Sequence, residues 1–213
     1  SWVASAAPGG SPGVFTAATA GSVILINELV AASEEGDVDW IELHNPGAGP
    51  IDLGGWMLTD DPGDTAKFVF PVGTSIEAGG FLVVNCDTDL SAPGLRTGFA
   101  LSQQGETVVL SDGSGERVDV VEFGSQIAGW SLARVNRAWV LGEATQGGAN
   151  MAAPVADPNV LVFNEWLTQP LFGEDAWVEL FNSSLDLPVA LSGIHIGQDD
   201  QLHQVRELSF IEP

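Results

Sequence analysis

The chain has 213 residues, 45% of them hydrophobic, enough to bury one good core and part of another. Its 29 acidic and 6 basic residues give a formal charge of −23, and such a surface repels phosphate backbones and anionic headgroups, so no nucleic-acid partner is expected. The single cysteine, Cys86, excludes an intrachain disulfide, and apolar runs as short as Val23-Ile24-Leu25-Ile26 leave no segment expected to insert in a membrane.

Residues 1–21 carry a Trp followed by Pro and Gly, the composition that returns after residue 137, and are expected to be the tail of a preceding unit. Short β-rich runs separated by Gly, Pro and Asp follow, with no helical period longer than two turns. Strands are predicted at VILINELV (23–30), DWIELHN (39–45), GWMLTD (55–60), KFVF (67–70), GFLVVN (80–85), ETVVLSD (106–112), RVDVVEFG (117–124) and WSLAR (130–134). Asp112-Gly113-Ser114-Gly115 reads as a hairpin turn, because glycine accepts the positive φ of a tight connection. Eight such strands suit an all-β sandwich over residues 22–137. Alternation along DWIELHN places Ile41 and Leu43 on the core face and Trp40, Glu42 and His44 on the outer one.

A Pro/Gly-rich linker is expected at 138–158, after which the first half of the sequence pattern recurs. Asn27-Glu28-Leu29 and DWIELHN return as Asn164-Glu165-Trp166 and AWVELFN at a constant offset of 137 residues (164 − 27, 179 − 42), and Trp2 pairs with Trp139 at the same offset. A period this long means tandem globular units rather than a stacked solenoid. Residues 159–213 are thus expected to form the N-terminal part of a second unit, because Ile211-Glu212-Pro213 matches Ile76-Glu77-Ala78, about halfway through the complete copy. A half-unit exposes core and unpaired edges, so either the chain is a piece of a longer polypeptide or another chain completes the fold.

The order NEL, DWIELHNP, IDLGGWMLTDD, FVFP, GGFLVV, GETVVLSDGSGERVDVVEFG and WSLAR resembles the bacterial lamin-tail domain. The resemblance covers nearly all of the complete unit and the second up to residue 213. It implies an immunoglobulin-like sandwich, export to the cell surface or medium, and a place among several modules of a large surface protein. Its implied partners are other domains of the same polypeptide or other surface proteins. His44 and Phe181 stand where the family usually has Tyr, and this chain has no Tyr.

Glu28 and Glu42, repeated as Glu165 and Glu179, are the foremost candidates for chemistry, because paired strands would set the two carboxylates side by side and such a pair needs a proton, a cation or donors. One reading is a Ca²⁺ site completed by Asp39, Asn45 or a loop carbonyl. The other is that the carboxylates accept bonds from backbone amides or Arg134 and lock the sheet. Asp60, Asp61 and Asp64 form a second, weaker candidate for a divalent ion, and Glu34, Glu35, Asp37 and Asp39 a third; neither has a defined ligand spacing. Asn85, Asp87 and Asp89 imitate the start of an EF-hand loop, which Leu90 and Arg96 then break. His44 aligns with Phe181 and His195 with Met57, and no nucleophile elbow, zinc helix or phosphate loop occurs, so the chain reads as a non-catalytic spacer or adhesive module. The rival readings are a cation-dependent adhesion module, an accessory domain of a larger extracellular enzyme, and a self-assembling subunit in which residues 1–20 of a neighbour complete the second unit.

Overall fold

Each of the eight predicted runs is a strand in the computed structural model, which describes residues 24–169, 171–173, 175–198 and 201–213. The expectations for residues 1–21, for Trp2 and for a unit starting at Ser22 lie outside the described residues. In chain order the first half contains β1 (Leu25–Val30), β2 (Asp39–His44), β3 (Ile51–Asp52), β4 (Met57–Thr59), β5 (Phe68–Val69), β6 (Ser75–Ile76), β7 (Phe81–Cys86), β8 (Thr107–Ser111), β9 (Arg117–Glu122) and β10 (Trp130–Val135). β11 (Ala138–Glu143) and β12 (Met151–Ala152) follow.

Two antiparallel sheets close on each other, one ordered β12-β11-β10-β1-β2-β7 and the other β5-β4-β8-β9. Ile26, Leu29, Ile41 and Leu43 from the first meet Leu58, Val108, Leu110 and Val121 from the second in one apolar cluster. This is the immunoglobulin-like sandwich expected from the sequence, with alternate residues of each strand turned inward.

The segment assigned to a linker is corrected by the structure. β11 pairs with β10 over six residue pairs, from Trp130 opposite Glu143 to Val135 opposite Ala138, and β12 extends the sheet. The turn between β10 and β11 places Asn136 and Arg137 at positive φ. Gly142 makes the edge possible: a Cβ there would lie 2.7 Å from Ala133 Cβ and 2.9 Å from Ser131 Oγ. The first sandwich therefore continues past residue 137, to β12.

That continuation also buries a face. The outer face of β2 is covered, so that Trp40 is buried and Glu42 is fully buried beside the inward-facing Ile41 and Leu43.

The second half contains a short 3-10 turn (Pro158–Val160), β13 (Leu161–Leu167), β14 (Trp177–Asn182), β15 (Val189–Ala190), β16 (His195–Gln198), β17 (Gln201–Gln204) and β18 (Phe210–Ile211). Its pairing repeats that of the first half. Glu165 faces Glu179 as Glu28 faces Glu42, each after a register shift one residue earlier. β15 pairs with β18 as β3 pairs with β6, and the amide of Leu191 donates to Ser209 O as Leu53 donates to Thr74 O. Val178, the counterpart of the inward-facing Ile41, is exposed, because the β13–β14 ribbon is a two-stranded sheet among the described residues.

The two halves touch. Gly124 N donates to Glu207 O and Phe210 N to Ser125 O, while Phe210 joins the apolar cluster of the first sandwich. Only glycine fits at position 124, where a Cβ would fall 1.8 Å from Ser209 Oγ.

Candidate functional site

The residues singled out from the sequence do converge, around the bulge in β1. The register shift between Ile26 and Glu28 turns both Asn27 and Glu28 toward the outer face, opposite Glu42. Asn27 Nδ2 then donates to Glu42 Oε1 at 2.8 Å. Without the bulge, strict alternation would put one of the two in the core.

Both carboxylates are fully buried and both are occupied by protein donors. Glu28 Oε1 accepts from Ser131 Oγ at 2.7 Å, and Glu28 also takes the Thr145 amide and, at 3.0 Å, the Thr145 hydroxyl. Glu42 Oε2 accepts the Gly147 amide at 2.5 Å. Asn150 closes the set by donating to Asn27 O at 2.9 Å and Arg134 O at 3.0 Å. The loop 144–150, between β11 and β12, is therefore latched over the carboxylate pair. Burial pushes the Glu28 carboxyl above its ordinary value; the bonds from Ser131 and Thr145 pull it back, and the neighbouring Glu42 adds to the rise.

Asp39 and Asn45, named as further oxygen ligands for a divalent ion, are bonded elsewhere. Asp39 accepts the Ser33 amide at 3.0 Å, and Asn45 spends its amide nitrogen on the carbonyls of Gly49, Ile76 and Glu77 while its oxygen takes the Gly47 amide. Asn45 is a hairpin clasp, and Asn182 does the same for Leu187, Ile211 and Glu212. At the second candidate, Lys67 Nζ lies 2.5 Å from Asp60 while Asp61 and Asp64 accept the amides of Gly63 and Ala66. Asp60 is thus paired with Lys67, and Asp61 and Asp64 each close a local turn. Among the described residues no three His, Cys, Asp or Glu side chains come together as a metal-holding group. Glu34 and Asp37 border a shallow open groove with Trp40. Asp87, the middle residue of the broken EF-hand pattern, is paired with Arg96.

Sequence reasoning missed the other buried polar cluster. Asp119 on β9 is almost fully buried and reaches across the sandwich to Arg134 on β10. Arg134 Nη2 lies 2.9 and 2.7 Å from the two Asp119 oxygens, the Ile26 amide donates to Asp119 Oδ2 at 2.8 Å, and Arg134 Nε donates to Ile26 O at 2.7 Å. The guanidinium also sits 4.6 Å from the centre of the Trp139 ring. Arg134, considered as a partner for Glu28 and Glu42, thus serves Asp119 instead. Burial raises the Asp119 carboxyl against the opposing pull of Arg134. A carboxylate in mid-strand, where Asp is disfavoured, was the available signal.

His44 stacks on Phe81 at 4.5 Å and 16°, and burial lowers its imidazole pKa. Cys86 is buried, which pushes its thiol well up and makes it a core residue rather than a nucleophile. Every carboxylate of the two buried clusters is thus used in joining strands, and none is aimed into a cleft.

A family model described as Lamin Tail Domain matches residues 17–125, just over half of the chain. No curated protein matches it.

Proposed function

The chain belongs to the lamin tail domain family, and from that membership we propose that it serves as a non-catalytic spacer or adhesive part of a larger exported protein, with residues 159–213 forming part of a second lamin tail unit. The family's immunoglobulin-like sandwich is an interaction module, and its fold alone does not name a partner. The observation that carries the reading is the fate of the best chemical candidates. Glu28 and Glu42 are spent on the loop 144–150, and Asp119 on Arg134 and Ile26. A hydrolytic pair would need its carboxylates open to substrate and water.

The direct contact between halves supports the spacer role. Backbone bonds from Gly124 and Phe210 and the burial of Phe210 make the junction a packed one rather than a free hinge. The charge of −23 suits a surface bathed in salt or divalent cations, where self-repulsion is screened. Antibodies raised against the chain test the export claim on intact cells of the source organism. Labelling without permeabilisation is expected; labelling only after permeabilisation removes the surface assignment.

A further inference from the structure

Three strand ends of the smaller sheet bring a lysine and two carboxyls together. Asp60 directly follows β4, Lys67 directly precedes β5 and Glu106 directly precedes β8, and the sheet order β5-β4-β8-β9 sets these strands side by side. Asp60 stands two residues beyond the buried Leu58 and Glu106 two before the buried Val108, the spacing that turns both carboxyls toward the inside of the sandwich. Lys67, the single lysine of the chain, reaches in with its Nζ 4.9 Å from the centre of the Phe99 ring and 2.5 Å from Asp60 Oδ1.

An ion pair in open solvent stays an ion pair. Here the Asp60 side chain is 11% exposed, and its Oδ1 is sealed from water and accepts no hydrogen bond of ordinary angle. A dry site disfavours separated charges and brings the neutral pair, amine and carboxylic acid, within reach. Pairing with Asp60 holds the Lys67 ammonium above its ordinary value, so proton transfer within the pair has to supply that neutral form. Burial raises the Glu106 carboxyl; the bond from the Ser102 amide opposes the rise, and the Asp60 charge adds to it. Such an acid is a better proton carrier near neutral pH than an exposed one.

We propose that Lys67 and Asp60 join in an intramolecular amide, with Glu106 relaying the proton. Lys67 Nζ attacks Asp60 Cγ, the Nζ–Cγ bond forms and one Cγ–O bond breaks. Ammonium and carboxylate become an amide and one water: two of the three ammonium protons leave with the departing oxygen, the third stays on nitrogen, and Glu106 ends as it began. No electrons change hands and no co-reactant is consumed. The fold supplies what activation otherwise would, because a pair held in contact reacts at a high effective concentration. The product staples β5, a two-residue strand at the sheet edge, to β4. No disulfide could do this in a chain with one cysteine. The bond forms once per molecule, without turnover, and depends neither on the module's partner nor on the second half.

Intact mass of the purified full chain, measured under denaturing conditions after prolonged incubation, tests the proposal. A mass one water below that of the sequence is expected, and an amine-acylating reagent should leave Lys67 unlabelled in the denatured protein. Cleavage at Asp64, between the partners, should then leave two pieces still joined. Lys67→Arg and Asp60→Ala are each expected to restore the full mass. Glu106→Gln should do the same while keeping the melting temperature and tryptophan fluorescence of a folded domain. The full sequence mass in wild type, with Lys67 labelled, overturns the proposal whatever the variants do. So does a water loss traced to another site, such as ring closure at Asp112-Gly113. A link that forms equally fast in Glu106→Gln overturns the relay assigned to that residue.

Discussion

Asp119→Ala is the substitution on which the architecture makes its largest demand. The Asp119 side chain is 1% exposed and its partner Arg134 11% exposed, so removing the carboxylate strands a guanidinium with little water to replace it. Breaking a buried pair from one side costs about 3–5 kcal/mol. The Ile26 amide, bonded to Asp119 at 2.8 Å inside the sandwich, also loses its acceptor, which adds on the order of 1–3 kcal/mol. The two losses share one site and overlap, which gives about 4–6 kcal/mol in all, a large part of the roughly 5–15 kcal/mol available to a folded domain. Urea unfolding followed by far-ultraviolet circular dichroism and tryptophan fluorescence measures it. Asp119→Leu combined with Arg134→Met is expected to fold better than Asp119→Ala alone, because no charge is then stranded. A loss below about 1 kcal/mol for Asp119→Ala, the range of ordinary surface changes, refutes the claim that this pair clamps the two sheets.

Four further outcomes follow from the other contacts of the two halves. Burial raises the Glu28 carboxyl above its ordinary value, so the folded state binds this proton more tightly than the unfolded one, and Glu28's contribution weakens as pH climbs through the folded value. Wild type should therefore gain stability relative to Glu28→Gln as pH is lowered from 7 toward 4.5, read as the difference between their melting temperatures; a gap that moves the other way contradicts the assignment. Gly124→Val places a side chain where Ser209 sits, so tryptic cleavage after Arg206 should speed up by about tenfold or more, and an unchanged rate shows that the halves do not depend on this contact. Asn45→Ala removes the donor to three hairpin carbonyls and should cost about 2–3 kcal/mol. Asn182→Ala should loosen residues 187–212 in hydrogen exchange while leaving the first sandwich protected; protection lost in both halves argues against separate clasps.

Alternation found eight strands of the first half, because a half-buried strand writes its two faces into the sequence, and the two-residue β5 was caught only through the apolar run KFVF around it. β3 and β6 are two residues each and leave no such record. β11 and β12 were hidden for a different reason. Gly142, Gly147 and Gly148 give the stretch the composition of a linker, yet Gly142 is there for close strand approach and Gly147 supplies an amide to Glu42. The pairing of Trp139 with Trp2 at the repeat offset was the one sign that residues near 139 belong to a unit.

The candidate site was legible by half. Repetition marked Glu28 and Glu42, and strand order placed them together. Their donors lie more than a hundred residues away, at Ser131, Thr145 and Gly147, which no local pattern connects to β1 or β2. The bulge at Asn27 escapes alternation too, because it breaks the period that alternation assumes. Nothing in RVDVVEFG sets Asp119 apart, yet it shares the inward face with Val121.

The buried carboxylate pair fastens the loop 144–150 to the sheet. Thermal melting of wild type and of Glu42→Gln, each with chelator and then with millimolar Ca²⁺, tests that claim most directly. The expected result is a lower melting temperature for the variant, from the lost bonds to Asn27 and Gly147, and no response to Ca²⁺ in either protein. A wild-type melting temperature that rises with Ca²⁺, and a variant in which the rise is gone, would contradict it.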